Sequence, residues 1–159
     1  MRLRRILIRN FRNLRQVEIR PMSTTVIVGE NNTGKSNLLH ALRLLLDPQA
    51  ARLQAELSED DINDTARTAG ESWFSITLEI GDLQKHQEVE AVFRDRIDQD
   101  GNETYVTIEG RYEPDDDGIL TWKTQGPTRR LSARSTRPKN PAMMRLIPLY
   151  YLDAVRDAA

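Results

Sequence analysis

The run Gly29-Glu30-Asn31-Asn32-Thr33-Gly34-Lys35-Ser36 constrains this chain more than any other feature, because it spells Gly-x-x-x-x-Gly-Lys-Ser between an apolar run and a leucine-rich segment. Each residue type in that pattern has a mechanical task. The glycines let the backbone curl so that successive N–H groups point at phosphate oxygens, adding to the positive end of the helix that follows. Lys35 is a mobile cation able to reach the β- and γ-phosphates, and Ser36 carries a hydroxyl that can bind a magnesium ion bridging them. The neighbouring residues suit this arrangement. Thr24-Thr25-Val26-Ile27-Val28 reads as a short buried strand, and Leu38, Leu39, Leu42, Leu45 and Leu46 recur at helical spacing until Asp47-Pro48 ends the pattern. Strand, loop and helix together form a nucleotide-phosphate cradle.

A chain of 159 residues, 38% hydrophobic and 30% charged, can bury one core and has the composition of an ordinary soluble domain or part of one. Its 23 basic and 24 acidic residues nearly cancel, so no global field draws it to nucleic acid. The charges are unevenly placed. Residues 1–20 hold seven arginines against Glu18 alone, and residues 118–152 hold seven basic residues and no acid. Two readings of these basic ends stay open, a solvated face and a path for DNA. With no cysteine, disulfide scaffolds and thiolate zinc sites are excluded, and His40 and His86 are too few to make a metal site. His40 falls in the helix after the loop as a structural residue. Residues 1–20 lack the long apolar run of a signal peptide, and no stretch reaches membrane-spanning length, so a cytoplasmic location without membrane contact is expected.

Ile6-Leu7-Ile8 and Val17-Glu18-Ile19 read as two strands joined through Asn10-Phe11-Arg12-Asn13, a hairpin that opens the chain. Residues 1–48 thus form the hairpin, phosphate loop and helix, and 49–71 an alanine-rich, acidic connector in which Ser58 and Asp61 can cap a short helix. From 72 to 124 the period changes to two. Phe74, Ile76, Leu78 and Ile80 alternate with polar residues, Val89, Ala91 and Phe93 begin a second run, and strands at 105–112 and 119–124 follow turns at Asp100-Gly101 and Asp117-Gly118. This pattern predicts an antiparallel meander. Residues 125–159 combine a basic loop at 125–141, rich in Gly and Pro, with a last apolar strand at 146–152. The adjacent acids Asp115-Asp116-Asp117 before Gly118 suit a solvated hairpin turn rather than a metal site.

A small kinase or GTPase would continue in alternating strand and helix units, which this chain does not do. The opening Ile-Arg-Asn-Phe-Arg-Asn-Leu at 8–14, followed by the Gly-Glu-Asn-Asn-Thr-Gly-Lys-Ser-Asn-Leu-Leu loop, resembles the start of ABC-type ATPase heads of the RecF and SMC group. Within that group the chain is most similar to the OLD (overcoming lysogenization defect) family of ATP-dependent nucleases, which includes the nuclease component of Gabija-type phage defence. The Leu-Arg-Leu-Leu-Leu-Asp helix end and the closing Tyr150-Tyr151-Leu152-Asp153-Ala154-Val155-Arg156-Asp157-Ala158 add to that resemblance.

The resemblance implies a mixed α/β fold, the N-terminal lobe of a P-loop ABC-type head with an antiparallel β subdomain. It implies that Gly29, Asn31, Asn32, Thr33, Gly34, Lys35, Ser36 and Asn37 bind ATP, with Ser36 on Mg. Arg12 would lie near the nucleotide or serve as a surface charge of the hairpin, and Asp153, Arg156 and Asp157 would sense nucleotide or pair with one another at a strand end. The partners implied are a second head, giving at least a homodimer, DNA for the whole protein, and a helicase-like or other defence partner. A Ser-Gly-Gly signature segment, an apolar strand ending in Asp-Glu, and the metal-binding acids of a Toprim domain do not occur in these 159 residues. The expectation is therefore the ATP-binding portion of an ATP-dependent endonuclease, with no catalytic residue in this segment and little hydrolysis by it alone. The alternative is a non-catalytic nucleotide-binding or interaction subunit of a RecF/SMC-like complex.

Overall fold

Alternation of residue type sets the opening hairpin. In strand β1 (Arg2–Phe11) Ile6 and Ile8 are buried while Arg5 and Arg9 take the opposite face, and in β2 (Leu14–Ile19) the partners run from Leu14, opposite Phe11, to Ile19, opposite Ile6. That register leaves a two-residue turn, Arg12-Asn13, in which Arg12 takes the left-handed conformation (φ 48). The computed structural model describes residues 1–83, 90, 91, 93 and 97–128, with side chains as far as 125.

The free edge of β1 pairs antiparallel with β3 (Phe74–Gly81), and β3 pairs with β5 (Glu103–Pro114). The far edge of β5 is shared by β4 (Asp98–Asp100) and β6 (Leu120–Thr128), completing a six-stranded sheet. Hairpin and meander are thus one sheet, joined at β1 and β3. One face carries Ile6, Ile8, Phe74, Ile76, Leu78, Val106 and Ile108, none more than 3% exposed. Helix α1 (Lys35–Leu46) covers it with Leu38, Ala41, Leu44 and Leu45. Burial of each large apolar side chain contributes about 1.5–3 kcal/mol, so this contact is what holds the helix in place. The approach is close at Gly110 of β5, where a Cβ would lie 2.1 Å from Cζ2 of Trp122 and 2.8 Å from Cδ2 of Leu45.

The opposite face is polar and cross-linked. The β1/β3 register slips between Leu3 and Arg5, a bulge that brings Arg4 to the same acid as Arg5. Their Nη1 atoms donate to the two oxygens of Glu79 at 2.9 and 3.2 Å. Arg4 also bonds Glu103 (3.1 Å) and Asp100, and its guanidinium lies 4.3 Å from the centre of the Tyr105 ring. Four strands are tied together through this one residue.

The connector contains α2 (Ala50–Ala55), a 3₁₀ turn (Glu59–Asp61) and α3 (Asp64–Thr68). Ser58 and Asp61 do form a capping box, but it closes around the three-residue 3₁₀ turn, and Asn63 caps α3. The turn at 115–118 is the solvated hairpin expected, with Asp115 Oδ1 accepting from the N–H groups of Asp117 and Ile119.

Three expectations are corrected. The run 24–28 is not a buried strand. It has no strand assignment, and Val26, Ile27 and Val28 are 79%, 45% and 84% exposed. A β-branched run fits a pleated, half-buried surface but forms a strand only beside a partner, and no described strand pairs with it. The second run of the meander is helical where it is described, at Glu90, Ala91 and Phe93. Glu90 and Ala91 are good helix formers, and that preference outweighs the apolar alternation of Ala91 and Phe93. Finally β6 continues to Thr128, so the strand takes in the first residues assigned to the basic loop. The rest of that loop, the strand at 146–152, and Asp153, Arg156 and Asp157 lie outside the described residues.

Candidate nucleotide site

The phosphate loop is built where α1 begins. Gly34 is the N-cap, at φ 102, and Asn32 is also left-handed, at φ 64. These two inversions curl residues 31–35 around the helix N-terminus, whose first turn holds no acid. Its unpaired N–H groups and the helix dipole therefore face the loop with positive potential. Gly34 is needed for a second reason. A Cβ there would meet Leu14 Cδ2 at 2.8 Å and Asn13 Oδ1 at 3.0 Å, so the hairpin tip presses directly on the loop.

Asn13, Asn31, Asn32, Gly34, Lys35, Ser36 and Asn37 line a cavity of about 540 Å³. Six of these are loop residues singled out from sequence, and Asn13 joins them from the hairpin. Gly29 and Thr33 brace the loop from behind. Lys35 Nζ donates to the carbonyl of Gly29 at 2.6 Å and to that of Glu30, while Thr33 Oγ1 donates to the Glu30 carbonyl at 2.9 Å. The ammonium is thereby held inside the turn, where an anion in the cavity can exchange for the two carbonyls. Lys35 is partly exposed and Ser36 exposed, so both can meet a ligand from solvent.

Arg12 does not line the cavity. It stands behind Asn37, donating from Nη1 to Asn37 Oδ1 (3.0 Å) and from Nε to Asp61 Oδ1 (2.8 Å). Asn37 Nδ2 donates to Asn13 Oδ1 (2.9 Å), and Asn13 Nδ2 to the carbonyl of Asn32 (3.3 Å). Backbone bonds fix the same junction. The Arg12 N–H donates to the Asp61 carbonyl, the Asn63 N–H to the Asn10 carbonyl, both at 2.8 Å, and Asn63 Nδ2 to the Arg12 carbonyl. The 3₁₀ turn is stitched to the hairpin tip, with buried Ile62 bridging Phe11. Sequence reasoning missed Asn13, Asp61 and Asn63 as parts of this arrangement. The only local signal was the capping pattern of Ser58 and Asp61.

His40 lies one turn into α1, its ring 5.9 Å from that of Phe11. Burial pushes its pKa below the ordinary value, and the nearby Arg12 charge adds to the effect. The unfolded chain therefore binds the proton first as pH falls. Stability from neutral His40 is complete above about pH 6.5 and is lost as the pH drops toward the lowered folded value. We predict that unfolding free energy, followed by denaturant titration between pH 7.5 and 5, declines on acidification with a component that His40→Gln removes. An unchanged slope in that variant would contradict the assignment.

Among the described residues no helix is long and apolar enough to cross a membrane.

Residues 1–137 match the model of the AAA ATPase domain family. The chain is 28% identical over 132 residues to Endonuclease GajA of Bacillus cereus (strain VD045), an alignment that covers 79% of this chain and 22% of that protein. It therefore spans about a fifth of the length of the curated relative it matches. Among solved structures, one described under ATP-driven dimerization and DNA stimulated activation of SMC ATPases superposes with a TM-score of 0.52 at 18% identity, covering 91% of this chain and 75% of that one. A crystal structure of the SmcHead bound to the C-winged helix domain of ScpA aligns at 17% identity and a TM-score of 0.48, over 91% of this chain and 39% of that one. The mixed α/β fold, an antiparallel sheet with the phosphate-loop helix against it, is shared with that SMC ATPase structure, and the chain belongs to the AAA ATPase domain family.

Proposed function

We infer that this chain is the nucleotide-binding portion of an ATP-dependent DNA endonuclease of the OLD type, acting in DNA repair or defence against phage. The observation that carries the reading is the loop itself, a left-handed Asn32 and Gly34 at the head of α1 with Lys35 and Ser36 facing a cavity large enough for a triphosphate. In this reading Gly29, Asn31, Asn32, Thr33 and Gly34 shape the cradle. Lys35 neutralises the β- and γ-phosphates, Ser36 holds Mg, and Asn37 stands at the cradle's edge with Arg12 behind it.

Residues 1–159 form the N-terminal part of one head, and two heads pair when ATP binds. Nucleotide then sets the geometry of the pair, and DNA cleavage falls to metal-binding acids in another part of the protein. The named activity of GajA and the subject of the SMC ATPase structure, dimerization driven by ATP and activation stimulated by DNA, support this division of labour. The test is cleavage of plasmid DNA by the full-length protein in Mg, with and without ATP, alongside Lys35→Ala. Cleavage that responds to ATP in the native protein and not in the variant is expected. Cleavage indifferent to both, or no cleavage under any condition, would overturn the reading.

A further inference from the structure

Four side chains form a continuous hydrogen-bonded relay from the connector to the phosphate loop: Asp61, Arg12, Asn37 and Asn13, ending on the carbonyl of Asn32. Its direction is fixed at both ends. A guanidinium can only donate and a carbonyl can only accept. Asn37 must therefore turn its Oδ1 to Arg12, which leaves its Nδ2 to donate to Asn13 and the Asn13 Nδ2 to donate to Asn32. Neither amide can flip without breaking two bonds. The terminal acceptor belongs to one of the two left-handed residues that shape the cradle.

The anchor is equally well determined. Asp61 is 7% exposed, takes the Arg12 Nε on Oδ1 at 2.8 Å, and takes the Ser58 N–H on Oδ2 at 2.9 Å. Its two oxygens thus serve separate tasks, one toward the relay and one toward the 3₁₀ cap.

We propose that Asp61 is a positioning residue for the nucleotide site: through Arg12, Asn37 and Asn13 it holds the Asn32 peptide in its left-handed form, so the loop is already shaped for a polyphosphate before one arrives. This rests on the reading of the loop as a triphosphate cradle. Preorganisation lowers the cost of ordering on binding, and its loss weakens every ligand that uses the loop, whatever the base.

The test is calorimetric titration of the full chain with Mg-ATP and with inorganic tripolyphosphate. Asp61→Ala is expected to weaken both by the same factor, about tenfold. Ser58→Ala, which removes the cap hydroxyl but leaves the Asp61 carboxylate its bonds to Arg12 Nε and to the backbone N–H of residue 58, should leave both affinities unchanged while lowering the melting temperature. Because the relay acts as a unit, Asp61→Ala combined with Asn13→Ala should lose no more than the more damaging single change. If Asp61→Ala does not fold, Asp61→Asn, which keeps the shape and removes the charge, takes its place. The relay is overturned if the two losses multiply, if Ser58→Ala weakens binding as much as Asp61→Ala, or if Asp61→Ala is silent while Lys35→Ala weakens binding strongly. A Lys35→Ala affinity that stays within about threefold of the native value would instead overturn the reading of the site on which the relay depends.

Discussion

Lys35→Ala is expected to lower the affinity of the full chain for Mg-ATP by about a hundredfold, roughly 2.7 kcal/mol, in calorimetric titration. The figure follows from the chemistry of the group removed. A lysine facing two phosphates makes charge-assisted hydrogen bonds worth about 1.5–3 kcal/mol each, and part of that gain is offset by the bonds it gives up. Those bonds are visible here, to the carbonyls of Gly29 and Glu30. The variant should fold normally, because Lys35 is the first residue of α1 and only partly buried. An affinity within threefold of the native value, with folding intact, would show that the triphosphate does not use this loop.

Phe74→Ala has the largest expected effect on stability, about 4 kcal/mol in denaturant unfolding. Phe74 is completely buried, and its ring centre lies 4.9 Å from that of Phe11, 5.3 Å from Tyr112 and 5.7 Å from Trp122. It joins β1, β5 and β6 at one point. The loss combines the transferred apolar surface, the cavity left behind and three aromatic contacts, which are each worth about 0.5–1.5 kcal/mol beyond burial. Phe11 adjoins Arg12 in the chain, so the same substitution loosens the floor beneath the hairpin tip. A loss under about 1.5 kcal/mol would mean that the aromatic cluster closes over the gap, and that it is not the joint described here.

What could be read from the chain divides by the distance over which each interaction acts. The loop and α1 were legible because local rules set them: a glycine motif, leucines at helical spacing, and a stop at Asp47-Pro48. The strand containing Phe74, Ile76, Leu78 and Ile80 was legible for the same reason, as was the turn at Gly118, which is left-handed at φ 78. Thr24-Thr25-Val26-Ile27-Val28 has equally strong β character, yet it is exposed and has no strand partner among the described residues, since strand formation depends on a neighbour that local sequence does not specify. The union of hairpin and meander through β1 and β3 links residues about seventy positions apart, beyond the reach of periodicity.

The site divides in the same way. Lys35, Ser36 and the glycines announce themselves by spacing. The contact of Arg12 with Asp61 spans 49 positions and that of Asn37 with Asn13 spans 24, so only the folded chain shows that a connector acid supports the phosphate loop. A capping pattern at Ser58 and Asp61 marked the turn correctly but gave no sign that the second oxygen of Asp61 belonged to the site.

The most direct measurement is a crystal structure of the full-length protein with magnesium and a non-hydrolysable ATP analogue. The account predicts the β-phosphate among the backbone N–H groups of residues 32–36, Ser36 Oγ on magnesium, and Lys35 Nζ moved from the carbonyls of Gly29 and Glu30 to phosphate oxygens. A nucleotide bound elsewhere, or Lys35 still seated on those carbonyls beside a bound triphosphate, would contradict it.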